Sequence, residues 1–217
     1  MNADKLTQQV ASLLTSPGRA DLTRLLGDLI ARIADGVPIT RGAAANLVGC
    51  DESDLDAHLA GLPLRVELDD SGRIVGAGLT LRPTRHRFDL DGKRLFTWCA
   101  LDALIFPVVL GRTAEVSSPC AATGHPVSVT VSPEGILAAS PSTAVVSVVA
   151  PEANSTDVRQ SFCVHVNFFE SAEAAQSWSG ERPDAAVLSL SEAFDLAASM
   201  AKSFGQPGAK ACGPETC

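Results

Sequence analysis

The sequence has no segment long and apolar enough to predict a membrane span, because no stretch approaches about 18 uncharged apolar residues. Its N-terminus, Met-Asn-Ala-Asp-Lys, also lacks the basic segment followed by an apolar run that marks a secretory signal. We therefore expect a cytoplasmic protein with no membrane partner. In that compartment the six cysteines are expected to be reduced thiols rather than disulfides, which directs attention to soft-metal or nucleophile chemistry.

Basic residues are scarce relative to acidic ones. The chain has 17 Lys and Arg against 25 Asp and Glu, a net charge of −8, and no basic patch large enough to favour a phosphate backbone. Residues 1–95 carry 12 basic and 13 acidic side chains, whereas residues 96–217 carry 5 and 12. This asymmetry suggests two modules, and we expect no nucleic-acid partner.

Several motifs that anchor common reaction classes are also missing. The sequence contains no Cys-x-x-Cys pair, no His-Glu-x-x-His, no glycine-rich phosphate loop and no Gly-x-Ser-x-Gly elbow. With 217 residues and 46% hydrophobic residues, the composition is that of an ordinary globular protein of one or two domains. Any chemistry must therefore come from less familiar arrangements of side chains.

Residues 1–82 have the order of elements of a winged helix. Helical spacing of apolar residues recurs in four segments, 6–14, 22–33, 40–48 and 55–62. The period then changes to two on either side of an Asp69–Gly72 turn, which predicts a β-hairpin. We therefore predict a winged-helix-like three-helix domain with a β-hairpin. The helix that would read DNA begins near Asp51 and carries four acidic residues and no Lys or Arg, so DNA recognition is not expected.

Residues 83–202 have the irregular mixture of strands and helices typical of an α+β domain. Asp91-Gly92 predicts a tight hairpin, and a helix is predicted from Thr97 to Ile105, because Pro107 cannot continue it comfortably. Further strands are predicted at 114–117, 127–131, 144–149, 161–169 and 185–188, and helices at 170–178 and 190–200. The Gly- and Pro-rich residues 203–217 predict a mobile tail.

Cys99 and Asp102 stand three residues apart near the start of the predicted helix, so they share a helical face. The helix dipole favours a Cys99 thiolate, an ionised Asp102 opposes it, and the pair should titrate as a unit. Asp102 could then accept a proton when Cys99 binds a soft cation and donate it afterwards. Spacing alone also fits a small buried cysteine beside a capping or solvated acid.

The other thiols carry weaker signals. Cys163 is predicted on the polar face of the strand at 161–169, together with His165, which is either a ligand or a structural residue. Cys120 lies in a turn-rich loop and is either structural or a third ligand. Cys50, in the turn between two N-terminal helices, is most simply a packed residue.

Three blocks of this sequence closely resemble the organomercurial lyases, also called alkylmercury lyases. They are Arg94–Pro107 (RLFTWCALDALIFP), Val116–Gly124 (VSSPCAATG) and Asp157–Val166 (DVRQSFCVHV). They occur in the same order as in that family, and the resemblance extends through the N-terminal helices to nearly the whole chain apart from the tail.

The resemblance implies protonolytic cleavage of the carbon–mercury bond of alkyl and aryl mercurials, which yields a hydrocarbon and Hg(II). It implies that Cys99 and Cys163 bind mercury, that Asp102 handles the proton, that Cys120 is structural and that Trp98 walls the site. Residues 83–202 would then be the catalytic domain, with the N-terminal module as scaffold and lid. It implies no cofactor, excess small thiols for product release, and mercuric reductase as an acceptor of Hg(II).

Three other functions use the same residues differently. A thiol-based soft-metal chaperone would hold a metal with Cys99, Cys120 and Cys163 and release no hydrocarbon. A metal-sensing winged-helix regulator would bind duplex DNA, and a redox thiol enzyme would react with peroxide. The tail thiols Cys212 and Cys217 lie outside the resemblance, and they are either incidental or pass Hg(II) onward from the site.

Overall fold

The computed structural model describes residues 20–62, 64–150, 157–179 and 185–204. In these ranges the chain forms an α+β fold. The α-helices are α1 (Ala20–Ile33), α2 (Arg41–Val48), α3 (Leu55–Ala60), α4 (Ala100–Leu110), α5 (Val158–Ser161), α6 (Ala172–Ser179) and α7 (Leu190–Ala201), with 3₁₀ turns at Cys163–His165 and Lys202–Phe204. Among the described residues, none of these helices has the length and hydropathy needed to span a bilayer.

The described residues form two antiparallel sheets. The strands of the large sheet are β1 (Glu67–Leu68), β2 (Ile74–Ala77), β3 (Leu79–Thr80), β4 (His86–Leu90), β5 (Lys93–Thr97), β6 (Ala114–Pro119), β7 (Pro126–Ser132) and β8 (Gly135–Ser140). Those of the small sheet are β9 (Val145–Val149), β10 (Phe168–Phe169) and β11 (Ala185–Ser189). The strand order is β1-β2-β3-β5-β4-β6-β7-β8 in the large sheet and β10-β9-β11 in the small one.

The first three described helices follow the predicted segments, and α2 begins and ends at local signals. Thr40 caps α2 by accepting a hydrogen bond from the Ala43 N–H, and Gly49 ends that helix in the left-handed conformation. Ile39 exchanges backbone hydrogen bonds with Ile74 of β2, which joins the helices to the large sheet. The segment predicted as a helix at 6–14 lies outside the described residues, and the winged-helix-like character of residues 1–82 stays a prediction.

The hairpin predicted at Asp91-Gly92 is confirmed. Both residues have positive φ, 47° and 76°, as the two central positions of a type I′ turn require. This turn joins β4 to β5, and the paired strands place Phe88 opposite Leu95 in the core. Because β5 ends at Thr97, the hairpin delivers the chain to the start of α4.

The predicted end of the helix before Pro107 is wrong. The helix α4 begins at Ala100, after Thr97 has paired within the sheet, and it continues through Pro107 to Leu110. Most of its residues are buried, so apolar packing on nearly all sides outweighs the loss of one N–H donor. Gly111, with φ of 64°, ends the helix and donates to the carbonyls of Pro107 and Val108.

The strand predicted at 161–169 is wrong except at its end, where Phe168–Phe169 form β10. Asp157 caps α5 by accepting from the Gln160 N–H, and local hydrogen bonds continue through the turn at Cys163–His165. The apolar alternation suggested a strand, but Val164 is 45% exposed, opposite to the predicted pattern. β8 was not predicted, whereas the strands and helices predicted at 127–131, 144–149, 170–178, 185–188 and 190–200 are confirmed with small shifts of their ends.

Within the described part of the chain, one hydrophobic cluster extends from α1 to the last 3₁₀ turn. The helices α4 and α7 pack together within it, and Phe204 is buried against Gly27 of α1. The predicted tail therefore does not begin at Ser203, since Phe204 belongs to the core. The division of the chain at residues 82 and 83 stays a prediction, and it falls between β3 and β4 of the same sheet.

Candidate active site

Cys99 lies at the N-cap of α4, directly after the end of β5. Its Sγ accepts a hydrogen bond from the Asp102 N–H at 3.4 Å, and Asp102 Oδ2 accepts one from the Cys99 N–H at 3.1 Å. Together these bonds form a capping box in which cysteine takes the usual place of Ser or Thr. The Thr97 hydroxyl donates to the Cys99 carbonyl at 2.9 Å. The backbone of one helix start therefore holds this thiol and this carboxylate in contact.

Cys163 comes from a different part of the chain, the 3₁₀ turn that follows α5. The turn is hydrogen-bonded to the start of α4, where the Ala100 N–H donates to the Val166 carbonyl at 3.0 Å. It is also hydrogen-bonded to the small sheet, where Ser147 Oγ donates to the His165 carbonyl at 2.8 Å. These two bonds place the Cys163 thiol beside the N-terminus of α4.

The structure brings Cys99, Asp102 and Cys163 together. One ligand atom from each, the two Sγ atoms and a carboxylate oxygen, lie within 4.8 Å of one another. Among the described residues no other group of three His, Cys, Asp or Glu side chains meets this condition. Cys99 is 1% exposed and Cys163 5% exposed, so the thiols are covered in this arrangement. Two sulfurs and one carboxylate are suited to a soft metal ion together with a proton.

Burial controls the protonation of the cluster. It raises the pKa of Cys99 well above its usual range, and the hydrogen bond with Cys163 and the charge of Asp102 add to this rise. This rise in the pKa of Cys99 outweighs the lowering that was predicted from the helix dipole. The hydrogen bond from Cys99 lowers the pKa of Cys163, but burial and the Asp102 charge leave it raised. Burial also raises the pKa of Asp102 to about 6, against the lowering effect of its Cys99 hydrogen bonds.

Arg159 was not singled out from the sequence, although it belongs to the site. Its guanidinium carbon lies 5.0 Å from the centroid of the Trp98 ring, and its charge lowers the pKa of both Asp102 and Cys163. Asp157, read as the N-cap of a short helix, would have placed Arg159 one turn before Cys163. The strand interpretation of this segment concealed that signal.

Gly78 is a second residue that sequence reasoning missed. It connects β2 and β3 with φ of 84°, and its carbonyl accepts a hydrogen bond from the Trp98 N–H at 2.9 Å. A Cβ at this position would lie 2.8 Å from the Phe106 ring and 3.8 Å from Asp102 Oδ1. The glycine therefore lets the β2–β3 connection lie against the site.

The remaining predicted residues lie elsewhere. Cys120 is buried where β6 leads into its loop and does not join the cluster. Cys50 is a partly exposed thiol in the turn after α2, and His165 also lies outside the three-residue cluster. Trp98, the residue before Cys99, is buried, and its role as a wall of the site stays a prediction. Cys212 and Cys217 lie outside the described residues.

Comparisons with known proteins identify the family. The family model described as MerB: Alkylmercury lyase matches residues 79–202. The chain is 39% identical to an alkylmercury lyase of Staphylococcus epidermidis, over 95% of both chains. It is 43% identical to an alkylmercury lyase of Streptomyces lividans, with 89% of this chain and 91% of that one covered.

A solved structure shares the fold. The crystal structure of the mercury-bound form of MerB2 superposes with a TM-score of 0.76 at 24% identity, covering 93% of this chain and all of that chain. The family model spans more than half of the sequence, and the relatives exceed 30% identity over most of their length. This chain therefore belongs to the alkylmercury lyase family.

Proposed function

We propose that this protein cleaves the carbon–mercury bond of organomercurials by protonolysis, with Cys99, Cys163 and Asp102 as its catalytic residues. The observation that carries the proposal is the approach of two sulfurs and one carboxylate to within 4.8 Å of one another. The names of the relatives support the same activity. A thiol-only metal carrier does not need a buried carboxylate whose pKa is raised to about 6.

In the first stage the two thiols bind mercury. A mercurial R–Hg–X exchanges X for one cysteine sulfur, and the thiol proton leaves with X. The second sulfur then adds to mercury and its proton passes to the Asp102 carboxylate. Thiolates are the preferred ligands of soft metals, and coordination removes the thiol proton. Burial disfavours free thiolates here, so each thiol gives up its proton only as mercury binds to it.

In the second stage the carbon–mercury bond breaks. The two thiolates donate electron density through mercury to carbon, which makes the carbon basic enough to take a proton from Asp102. The electron pair of the bond stays on carbon, so R–H leaves and Hg(II) remains on Cys99 and Cys163. Asp102 returns to its carboxylate form. The balance is one mercurial and two thiols to one hydrocarbon, one HX and one bis-thiolate Hg(II).

The proposal extends to the surroundings of the reaction. We propose that the protein works in the cytoplasm without a resident cofactor. Excess small thiols remove Hg(II) by exchanging with Cys99 and Cys163, and a mercuric reductase is the acceptor that follows. We further propose that residues 1–82 form the winged-helix-like scaffold of a catalytic domain at residues 83–202.

The test is release of hydrocarbon by purified protein. Phenylmercuric acetate and excess small thiol are incubated with the enzyme, and benzene in the headspace is measured by gas chromatography. We expect multiple turnovers for the wild type and no benzene above background for Cys99→Ser or Cys163→Ser. The matched control is Cys50→Ser, which removes a thiol outside the cluster and should retain turnover. Tight mercury binding by the wild type without benzene would instead indicate a metal chaperone.

A further inference from the structure

The thiols of the site are covered in the structure, although an organomercurial must contact both sulfurs. Cys99 and Cys163 are 1% and 5% exposed. The Cys99 side is anchored in the large sheet through β5 and the Trp98 N–H bond to Gly78. On the other side the Cys163 turn is held by its hydrogen bonds to α4 and the small sheet, but α5 before it is a helix of only four residues, too short to be stable on its own. Movement that uncovers the thiols is therefore assigned to α5.

Arg159 of this short helix links the two sides. Its guanidinium stacks on the ring of Trp98, the residue before Cys99, and it pairs with Glu67 of β1. Its side chain is 37% exposed, so it extends from the covered site toward solvent. The Arg159 side chain thus joins the segment that carries Cys163 to both Trp98 and the edge of the large sheet.

Glu67 is a fixed anchor for Arg159. Its side chain is 11% exposed, and its Oε2 accepts a hydrogen bond from the Thr80 hydroxyl of β3. The glycine at position 76 leaves room for this carboxylate, since a Cβ there would collide with Glu67 Oε2. A carboxylate held in this way fixes the position of the arginine with which it pairs.

The side chain of Trp98 contributes no hydrogen bond to the arrangement that covers the thiols. Its Nε1 is the one buried side-chain nitrogen or oxygen without a hydrogen-bond partner among the described residues, and a buried N–H without a partner is unfavourable. The stacking of Arg159 on the ring and the ion pair with Glu67 offset that penalty. Loss of the ion pair should therefore shift the balance toward an open arrangement.

We propose that Glu67 and Arg159 are positioning residues that govern access to the thiols. Their ion pair holds the short helix α5 against Trp98, and its opening lets the organomercurial reach Cys99 and Cys163. The proposal rests on the proposed function for the identity of the ligand, but not for the movement. Glu67 acts only through Arg159 in this account.

The test measures how fast the two thiols react in the full chain. Wild type, Glu67→Gln, Arg159→Gln and the double variant are treated with a bulky maleimide, and peptide mass spectrometry gives the rate at each cysteine. We expect Glu67→Gln to raise the rates at Cys99 and Cys163 about fivefold, the factor that corresponds to about 1 kcal/mol for a partly exposed ion pair. Cys50 serves as an internal reference and should not change.

The double variant and a remote ion pair provide the controls. In the Arg159→Gln background, adding Glu67→Gln should have no further effect, because the partner is already absent. Asp91→Asn breaks the ion pair with Arg112 outside the site and should leave both rates at the wild-type value. Unchanged rates in both single variants, or additive effects in the double variant, would overturn the proposal. Because labelling requires no turnover, these outcomes are distinct from failure to release benzene.

Discussion

Asp102 has two roles at the start of α4, and they can be separated by choice of substitution. As the N3 residue of the capping box it accepts the Cys99 N–H, which stabilises the helix and orients the thiol. As a buried acid with a pKa raised to about 6 it can take and return a proton near neutral pH. Asparagine keeps the acceptor oxygen but cannot carry the proton.

We predict that Asp102→Asn lowers kcat by about 10²- to 10⁴-fold, the usual contribution of a positioned acid–base group. Asp102→Asn should be at least as stable as the wild type at pH 7, because it keeps the capping acceptor and removes a buried carboxylate whose raised pKa disfavours the folded state when it is ionised. Asp102→Ala should lose turnover and be about 1 kcal/mol less stable than Asp102→Asn, because the capping interaction is lost. Urea unfolding at pH 7 and initial rates with phenylmercuric acetate measure the two effects. Equal stabilities of the two variants would contradict the capping role.

The titration of Asp102 predicts an acid limit to the activity. Its pKa of about 6 means that the carboxylate is ionised above that pH and can accept a thiol proton. Below about pH 6 it is protonated before substrate binds, so kcat/KM should fall as pH decreases through this value. A pH profile of kcat/KM that stays flat from pH 8 to pH 5 would exclude Asp102 as the acceptor.

His86 predicts a second pH effect, on stability rather than activity. It is buried beside Ser118, and burial followed by the charge of Arg85 lowers its pKa to about 3. The unfolded chain, with an ordinary histidine pKa near 6.5, binds the proton first, so stability is full above about 6.5 and falls as pH decreases toward 3. We expect His86 to account for a loss of about 2 kcal/mol between pH 7 and pH 5.

Comparison with His86→Gln isolates this contribution in urea unfolding at the two pH values. The variant should be less stable at pH 7 but should lose about 2 kcal/mol less on acidification than the wild type. His58→Gln, at an exposed position of α3, is the control and should retain the wild-type pH dependence. The same loss in His86→Gln as in the wild type would contradict the assignment.

At the residue scale, the sequence was sufficient to predict Cys99, Asp102 and Cys163 as site residues. It was not sufficient to predict the residues that surround them. The spacing of Cys99 and Asp102 indicates contact within one helix start, and the resemblance supplied Cys163. Arg159 and Gly78 reach the site through tertiary packing, against Trp98 and Phe106. No local pattern encodes the contacts of Gly78, and Arg159 could have been placed before Cys163 only by recognising Asp157 as the N-cap of a short helix.

At the scale of secondary-structure elements, the connection between β2 and β3 has to lie against α4. Gly78 combines a positive φ with a lack of space for a side chain, whereas Gly92 has a similar φ of 76° and nothing within 4 Å of its would-be Cβ. Comparing substitutions at Gly78 and Gly92 therefore separates the effect of backbone strain from the effect of contact with the site.

We predict that Gly78→Ala destabilises the protein by about 1–3 kcal/mol more than Gly92→Ala. Phe106 must move to admit the methyl group, and Asp102 lies next to the same space. Gly78→Ala should therefore also lower kcat, while Gly92→Ala should cost only the strain of its backbone. Urea unfolding and steady-state rates measure both quantities. Equal effects of the two substitutions would show that contact at Gly78 is unimportant.

The errors in predicting elements have physical causes that a sequence pattern does not display. Pro107 was expected to end α4, but burial of the surrounding residues outweighs the missing donor. The alternation at 161–169 was expected to form a strand, but the Asp157 cap and local hydrogen bonds favour a short helix and turn. Tertiary burial therefore decides the first segment, whereas local capping and turn hydrogen bonds decide the second.

At the scale of the whole molecule, one sheet and one hydrophobic cluster connect the N-terminal helices to the site. We therefore predict a single cooperative unfolding transition. Tryptophan fluorescence, which reports on Trp98 and Trp178, and far-UV circular dichroism should give coincident urea curves. Two separated midpoints would show that the predicted domains at residues 1–82 and 83–202 unfold independently.

The central claim is that the three clustered side chains supply the proton that replaces mercury on carbon. The most direct measurement is mass spectrometry of the benzene released from phenylmercuric acetate by enzyme equilibrated in D₂O. Thiol and carboxyl protons exchange with solvent, so the account predicts benzene with one deuterium per molecule. Release by Asp102→Asn should be slower by about 10²- to 10⁴-fold. Benzene without deuterium, biphenyl in its place, or undiminished release by the variant would contradict the account.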